Sequence, residues 1–254
     1  MRTTVCLAVM GGARRLSYHS SMIEGVTFAI LLLMAAEMTP GPDGAPPRQP
    51  QLAVSGGTVH LAYGAGNAVF ASASRDEGTT WSKAIRLPGD GVLSLGMRRG
   101  PRIAATGRTV LVTAVLGAKG KGADGDVRLW RSTDEGRTWA AAPHLNDVPD
   151  SAREGLHSMA ASPDGSVAVV WLDLRKKGMR LYGVFSRDAG KTWSPNRLLY
   201  ESPGGSICEC CHPTVALGEK GRVAVMFRNS LAGNRDMYLL RSADGGATFS
   251  AAEK

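Results

Sequence analysis

Beyond Pro50, short runs of apolar residues alternate with turns rich in glycine, aspartate and serine. The runs are five to seven residues long and rich in Val, Leu, Ile and Ala, which is typical of β-strands. They come in four sets of three, which predict strands at 51–55, 58–63 and 68–72; 102–106, 109–115 and 127–131; 158–162, 166–172 and 180–185; and 213–217, 222–228 and 237–241.

An eight-residue motif follows each set and is the strongest signal in the chain. The motif reads S-x-D-x-G-x-T-W/F and occurs at 74–81, 132–139, 186–193 and 242–249. Its copies begin 58, 54 and 56 residues apart. Each copy therefore belongs to a structural unit of about 55 residues, which is too small to bury its own apolar faces and must stack on its neighbours.

The residue types of the motif predict a hairpin turn. The aspartate can accept backbone N–H bonds across the turn, the glycine can adopt a positive φ, and the final aromatic residue can start a fourth strand and pack between units. Four-stranded antiparallel sheets repeated around an axis form a β-propeller, so the predicted fold is all-β. The predicted blades are 48–90, 98–145, 153–200 and 206–254.

This motif resembles the Asp box, or BNR repeat, of sialidases and related propellers. The resemblance implies that the box aspartates (Asp76, Asp134, Asp188 and Asp244) are structural and lie at the rim, away from the central pocket. It also implies six blades, which at this repeat length would need about 330 residues against about 207 from Arg48 onward. Because an open arc of four blades exposes sheet edges, we expect a fragment of a longer chain or a partner chain that closes the ring.

Two arginines match the ligand-binding motifs of sialidases. Arg48, in Arg48-Gln49-Pro50, resembles the first arginine of that family, and Arg228, in Arg228-Asn229, resembles the second. The resemblance implies that both converge on the carboxylate of one anionic ligand, since a guanidinium donates two parallel hydrogen bonds to a planar anion. The alternative for each is a solvated arginine at the end of a strand.

The reacting groups of sialidases are not matched in this chain. Cys211-His212-Pro213 stands where that family has its helper glutamate, and the family's third arginine and nucleophilic tyrosine have no counterparts. Asp173, in the segment WLDLR, resembles the family's acidic residue but lies two blades later, and it is the catalytic candidate. We therefore expect little or no sialidase turnover from this chain.

The densest cluster of reactive side chains is Cys208, Cys210, Cys211 and His212. Three interpretations are open: a disulfide between Cys208 and Cys211 with one thiol left over, a thiolate and imidazole site for copper or zinc, and the Cys-x-x-Cys-His pattern of c-type haem attachment. A metal site or a disulfide is favoured over haem, because a loop before a propeller strand offers no obvious second haem face.

Residues that precede the innermost strand of a blade are predicted to line the central mouth. His157 holds this position in the third blade, and Arg98 or Arg99 holds it in the second. His157 is therefore a predicted substrate-binding residue together with Arg48 and Arg228. The alternative for His157 is an ordinary polar residue in a loop.

An apolar segment at 26–36 stands apart from the repeats. Its 11 residues are too few to span a bilayer, and they match the core of a secretory signal peptide. We predict a leader at 1–36, a Pro/Gly-rich linker at 37–47 and a secreted or periplasmic protein with no transmembrane span. The alternative for this segment is a buried strand or helix.

The overall composition agrees with a folded β-protein and argues against one class of function, nucleic-acid binding. Hydrophobic residues make up 43% of the chain and aromatic residues only 6%, so small aliphatic side chains must fill the core. The net charge of +8 comes from scattered Lys and Arg residues, so nucleic-acid binding is not indicated. We predict an exported sialidase-like propeller that binds an anionic or glycan ligand, with exo-α-sialidase activity implied by the resemblance. The alternative is a non-catalytic binding or metal-handling propeller.

Overall fold

A computed structural model describes residues 44–96 and 98–254 of the chain. The predicted leader at 1–36 lies outside the described residues, as do residues 37–43 of the predicted linker. The regular structure of the described residues is built from β-strands, without an α-helix. None of their segments forms a helix that is long and apolar enough to cross a membrane.

Sixteen strands form four antiparallel sheets that follow one another along the chain. The first sheet contains β1 (Pro47–Ser55), β2 (Thr58–Ala65), β3 (Ala68–Ser74) and β4 (Ile85–Arg86). The second contains β5 (Val92–Leu93), β6 (Arg102–Thr106), β7 (Thr109–Gly117), β8 (Asp126–Ser132) and β9 (Ala140–Ala142). The third contains β10 (His157–Ala161), β11 (Val167–Asp173), β12 (Arg180–Ser186) and β13 (Arg197–Tyr200). The fourth contains β14 (Thr214–Leu217), β15 (Val223–Leu231) and β16 (Asn234–Ser242).

The innermost strands of successive sheets lie side by side, β1 next to β6, β6 next to β10 and β10 next to β14. Apolar clusters fill the spaces between neighbouring sheets. Trp171 and Leu129 pack between the second and third sheets, and Phe227 and Leu181 pack between the third and fourth. The fold is therefore a β-propeller of four sheets in an arc, and the predicted fold class is confirmed.

The predicted fourth strand of each unit is partly wrong. It begins after the aromatic residue of the motif, four residues later in the first sheet, and in the fourth sheet it is reduced to a single bridge between Leu239 and Glu253. The start of this strand differs between sheets, since β4 begins four residues after Trp81 and β13 four residues after Trp193, whereas β9 begins directly after Trp139. Trp81 Nε1 donates to Gly78 O and Trp139 Nε1 donates to Gly136 O, each at 3.1 Å. These bonds hold the two indole rings against their own turns.

The predicted hairpin turn is confirmed in all four copies of the motif, with the same hydrogen bonds in each. In the second copy, Asp134 Oδ1 accepts from Thr138 N at 2.9 Å and Oδ2 accepts from Thr138 Oγ1 at 2.6 Å. Ser132 Oγ donates to Asp134 Oδ1 at 2.7 Å and accepts from Gly136 N at 2.9 Å. Gly136 has φ of 80°, the left-handed conformation that the turn requires.

These hydrogen bonds lower the pKa values of the box aspartates. Bonds from Thr80 and Ser74 lower the pKa of Asp76 to about 2, and bonds from Thr192 and Ser186 have the same effect on Asp188. Burial raises the pKa of Asp134, but the bonds from Thr138 and Ser132 outweigh burial and lower it to about 2. In each turn the ionised carboxylate is thus the form that the folded protein prefers.

The box aspartates therefore predict a loss of stability in acid. A carboxyl whose folded pKa lies below its unfolded pKa stabilises the fold above about pH 4, and this contribution is lost as the pH falls towards 2. Urea unfolding between pH 6 and pH 2 measures this loss. Asp134→Asn, which does not titrate, is expected to be less stable at pH 6 and to show a smaller decrease in acid. An equally steep decrease in the variant would show that Asp134 does not contribute.

The box turns lie at one end of the sheets. In the last three sheets the box turn receives support from the hairpin that follows the innermost strand of the same sheet: Glu135 N donates to Arg108 O at 3.0 Å, Ala189 N to Gly165 O at 2.8 Å and Gly245 N to Gly221 O at 2.7 Å. Because the strands are antiparallel, the residues at which the innermost strands begin lie at the opposite end. We call that opposite end the mouth; it comprises residues 98–102, 154–157 and 207–213 together with Arg48 and Arg228.

Candidate functional site

A buried arginine, Arg102, lies at the centre of the mouth. It is the first residue of β6 and is only 8% exposed. Its guanidinium donates to Pro101 O at 2.8 Å, to His157 O at 3.1 Å and to His212 Nε2 at 2.7 Å, and it also contacts the carbonyls of Arg98 and Gly100. Arg102 therefore joins the second sheet to the third and fourth.

The charge of Arg102 has no acidic partner. Every acceptor that it contacts is a carbonyl oxygen or an imidazole nitrogen, and no described carboxylate forms an ion pair with it. Burial lowers the pKa of Arg102 to about 10, which still leaves it charged at neutral pH. The mouth therefore contains an uncompensated positive charge.

His212 faces this arginine from the loop before β14. Burial, together with the charges of Arg102 and Arg98, lowers the pKa of His212 to about 4. Because Nε2 accepts the hydrogen bonds of Arg102, the proton of the neutral ring must lie on Nδ1. His212 therefore supports Arg102 as a neutral acceptor.

His157, the predicted substrate-binding histidine, is fully buried at the start of β10. Its Nε2 lies 3.0 Å from Thr113 Oγ1, and its carbonyl accepts from Arg102. Burial first, and then the charge of Arg102, holds the pKa of His157 well below its usual value. Its role in substrate binding stays a prediction, and its contacts favour a positioning role behind Arg102.

The other predicted arginines lie at the mouth in different settings. Arg48 is exposed on β1 and forms no hydrogen bond or ion pair with another described residue. Arg228 is half-buried on β15, where its Nε donates to Arg235 O at 3.0 Å and its Nη1 lies 3.8 Å from Cys211 Sγ. Their sheets are the first and the last of the arc, so their convergence on one anion stays a prediction. Arg99 forms an ion pair with Glu154 at 3.0 Å.

Asp173, the predicted catalytic candidate, is fully buried at the end of β11. Its carboxylate accepts from Trp171 Nε1 at 2.9 Å and from Arg175 Nε at 2.8 Å and Nη2 at 3.0 Å. Arg175 also lies over the ring of Tyr182, 3.9 Å from its centroid. A catalytic role for Asp173 stays a prediction, and these bonds support a structural role because they occupy both oxygens.

The three cysteines of the mouth lie together as free thiols. Cys208 Sγ is 3.1 Å from Cys211 Sγ and 3.6 Å from Cys210 Sγ, and the third pair is 3.8 Å apart. His212 does not join this group within the described residues, because its Nε2 is directed at Arg102. The structure thus divides the predicted four-residue cluster into a group of three sulfurs and a histidine that supports an arginine.

Sequence reasoning missed Arg102, although a signal for it was present. Arg102 opens β6, the innermost strand of the second sheet, and His157 holds the same position in the third. The prediction chose Arg98 or Arg99 at this position instead. The strand pattern alone could not show that the guanidinium bonds to residues of three sheets, His212 among them.

Comparison with known proteins identifies the repeat unit. A family profile described as a BNR repeat-like domain matches residues 101–254, which include three of the four boxes and the Arg102 site. The chain belongs to the BNR repeat-like family. The predicted resemblance to Asp-box propellers is therefore confirmed. No curated protein matches the sequence.

Solved structures show the same fold for this BNR repeat-like chain. An α-L-arabinanase from Penicillium chrysogenum, complexed with arabinobiose, has a TM-score of 0.54 and 16% identity over 80% of this chain and 66% of that one. An α-L-arabinofuranosidase from Fusarium graminearum has a TM-score of 0.54 and 16% identity over 83% and 67%. A polysaccharide lyase, an ulvan lyase bound to a saccharide, has a TM-score of 0.55 and 11% identity over 78% and 52%. The chain thus spans about two thirds or less of their lengths.

Proposed function

We propose that this protein is a saccharide-binding propeller of the glycoside-hydrolase-like type, and that its mouth binds an anionic sugar. The observation that carries the proposal is the buried guanidinium of Arg102, whose charge no described carboxylate neutralises. Fold neighbours that act on arabinose-containing saccharides support the saccharide class. The ulvan lyase, whose bound saccharide contains glucuronate and sulfate, supports a charged ligand.

The electrostatics of the mouth favour an anion. Arg98 is exposed, and its charge, like that of Arg102, lowers the pKa of His212. Arg228 contacts Cys211, the residue next to His212. The carboxylate of Glu154 is already paired with Arg99. The donors of Arg102 are all bonded to protein acceptors, so none is directed at solvent. Arg102 therefore contributes a positive electrostatic potential and holds the loops of the mouth in place. Arg98 and Arg228 are the groups that would contact the ligand.

The described residues of the mouth do not match the reacting groups of known glycosidases. Most glycosidases use two carboxylates beside the scissile bond, and sialidases use a tyrosine nucleophile instead. The carboxylate of Asp173 is hydrogen-bonded to Trp171 and Arg175, and the carboxylate of Glu154 is paired with Arg99. We infer binding as the principal function and expect little or no turnover of a fluorogenic sialoside. Export to the periplasm or the medium, as predicted from the leader, agrees with a saccharide ligand outside the cell.

Isothermal titration calorimetry with matched sugars tests the proposal. Glucuronate and N-acetylneuraminate are expected to bind, whereas glucose, which has the shape of glucuronate without its charge, is expected to bind at least about tenfold more weakly. Binding should weaken as salt increases, because exposed charges are screened. Arg98→Met and Arg228→Met should each lower the affinity for glucuronate about tenfold or more, since a hydrogen bond to a charged group contributes about 1.5–3 kcal/mol.

Arg108→Met is the matched control for these variants. Arg108 is an exposed arginine at the box end of the same sheet as Arg98, where its Nε lies 3.6 Å from Glu135. This substitution removes the same charge from the far side and should leave the affinity unchanged. Equal binding of glucuronate and glucose, or unchanged binding in both mouth variants, would contradict the proposal.

A further inference from the structure

The three sulfurs at 208–211 form a preorganised triangle. Its edges are 3.1 Å, 3.6 Å and 3.8 Å, so the point equidistant from all three sulfurs is about 2.0 Å from each, close to the metal–thiolate bond of about 2.3 Å. An ion at bonding distance would lie about 1 Å above the plane of the sulfurs, or its binding would lengthen the edges by about half an ångström. The triangle therefore has the size of a trigonal thiolate site.

Backbone hydrogen bonds hold the segment that carries these sulfurs. Ile207 N donates to Met179 O at 3.0 Å, and Cys208 N donates to Arg228 O at 3.1 Å. Cys211 N then donates to Cys208 O at 3.4 Å, which closes the turn that brings the sulfurs together. The segment is thus attached to the third and fourth sheets, and the triangle follows from the fold of the loop.

We propose that Cys208, Cys210 and Cys211 bind one copper(I) ion through their three thiolates. Sulfur ligands are soft and select Cu(I), which accepts a low coordination number, whereas zinc sites are almost always tetrahedral and need a fourth ligand. Among the described residues, the group of close ligand atoms contains the three sulfurs and no histidine or carboxylate. The argument for this site does not rest on the proposed saccharide function, although Arg228 lies beside both sites.

The surroundings of the triangle suit the charge of such a complex. Three thiolates with one Cu(I) carry a net charge of −2, and the thiols release three protons as the ion binds. The guanidinium of Arg228 lies 3.8 Å from Cys211 Sγ and places a positive charge beside the complex. Cys210 is exposed and Cys208 is buried, so the ion can enter from solvent and be held against the protein.

Competition for Cu(I) tests the site on the full chain, reduced and without oxygen. Titration against a chromogenic Cu(I) chelator should show one copper bound per chain, with loss of three titratable thiols on binding. Cys210→Ser removes an exposed ligand without disturbing the core, so the variant should fold normally. Removal of a group that only supports a metal ligand lowers metal affinity roughly 10–100-fold. Because Cys210 is itself a proposed ligand, Cys210→Ser should lower the affinity for Cu(I) by more than this.

Glu209→Gln is the control within the same segment. Its carboxylate contacts Ser206 Oγ at 3.2 Å and is not part of the sulfur group, so copper affinity should be unchanged. Unchanged affinity in Cys210→Ser, or tighter binding of Zn(II) than of Cu(I), would overturn the proposal. Loss of two thiols in air with no copper uptake by the reduced protein would also overturn it and indicate a disulfide between Cys208 and Cys211. Saccharide binding measured without metal does not depend on any of these outcomes.

Discussion

Replacement of Asp173 by alanine is expected to lower the free energy of unfolding by about 3 kcal/mol. The buried carboxylate accepts three hydrogen bonds from Trp171 and Arg175 side chains, and its removal leaves a buried indole N–H and a nearly buried guanidinium without that partner. The low end of the range for broken buried ion pairs applies, because Asp147 still contacts Arg175 at 2.9 Å. Urea denaturation followed by fluorescence measures the change.

Asp147→Ala is the matched control for Asp173→Ala. Asp147 pairs with the same arginine, but its side chain is 55% exposed. Its removal should therefore cost less than about 1 kcal/mol, since water screens an exposed pair and replaces its bonds. If Asp173→Ala folded as stably as the unsubstituted protein and lost a measured activity, the structural interpretation would fail and a catalytic role would be supported.

Replacement of Arg102 by methionine is expected to cost about 3 kcal/mol of stability. Methionine fills much of the same volume but leaves the carbonyls of Pro101 and His157 and the Nε2 of His212 without their donor. Each buried acceptor without a partner costs about 1–3 kcal/mol, and relief of the buried charge offsets part of the sum. Thermal and urea unfolding should both show the loss.

Arg131→Met is the comparison for Arg102→Met. Arg131 also links the second sheet to the third, through one bond from its Nε to Ala189 O at 2.9 Å, but it lies on the box side of the sheet. We expect a loss of about 1 kcal/mol, since a single hydrogen bond is removed. Arg102→Met should also weaken glucuronate binding, whereas Arg131→Met should not. Equal stability losses in the two variants would show that Arg102 is not the link among three sheets.

Local interactions explain why the fold could be predicted. The contacts of the Asp box join residues at most four positions apart, such as Asp134 and Thr138, so the motif contains its own structure. The strands follow from apolar runs whose period is also local. The prediction missed β5, a strand of two residues that is too short to show a period. It also placed the fourth strands of the first and third sheets too early, because strands of two to four residues are likewise too short to show a period.

Long-range interactions explain why the candidate site was only partly predicted. The bonds of Arg102 to His157 and His212 join residues 55 and 110 positions apart. Alignment of repeat positions indicated that these positions belong to one mouth, but it could not assign each side chain its contacts. Asp173 shows the same limit, since its segment resembles an acidic hairpin and the structure surrounds the carboxylate with Trp171 and Arg175.

The sequence by itself determined the repeat unit, the box turns, the antiparallel strands and the end of the sheets at which the cysteines lie. These features depend on side chains and backbone groups within a few residues of one another. Local interactions therefore stabilise them, and contacts with distant segments are not needed to specify them. The tertiary structure decided that Arg102 is a buried charge of the mouth without an acidic partner, that His212 supports it, and that the three sulfurs lie within 3.8 Å of one another. The physical reason is that burial and the direction of a side chain depend on neighbours from other sheets, which only the assembled propeller brings within hydrogen-bonding distance.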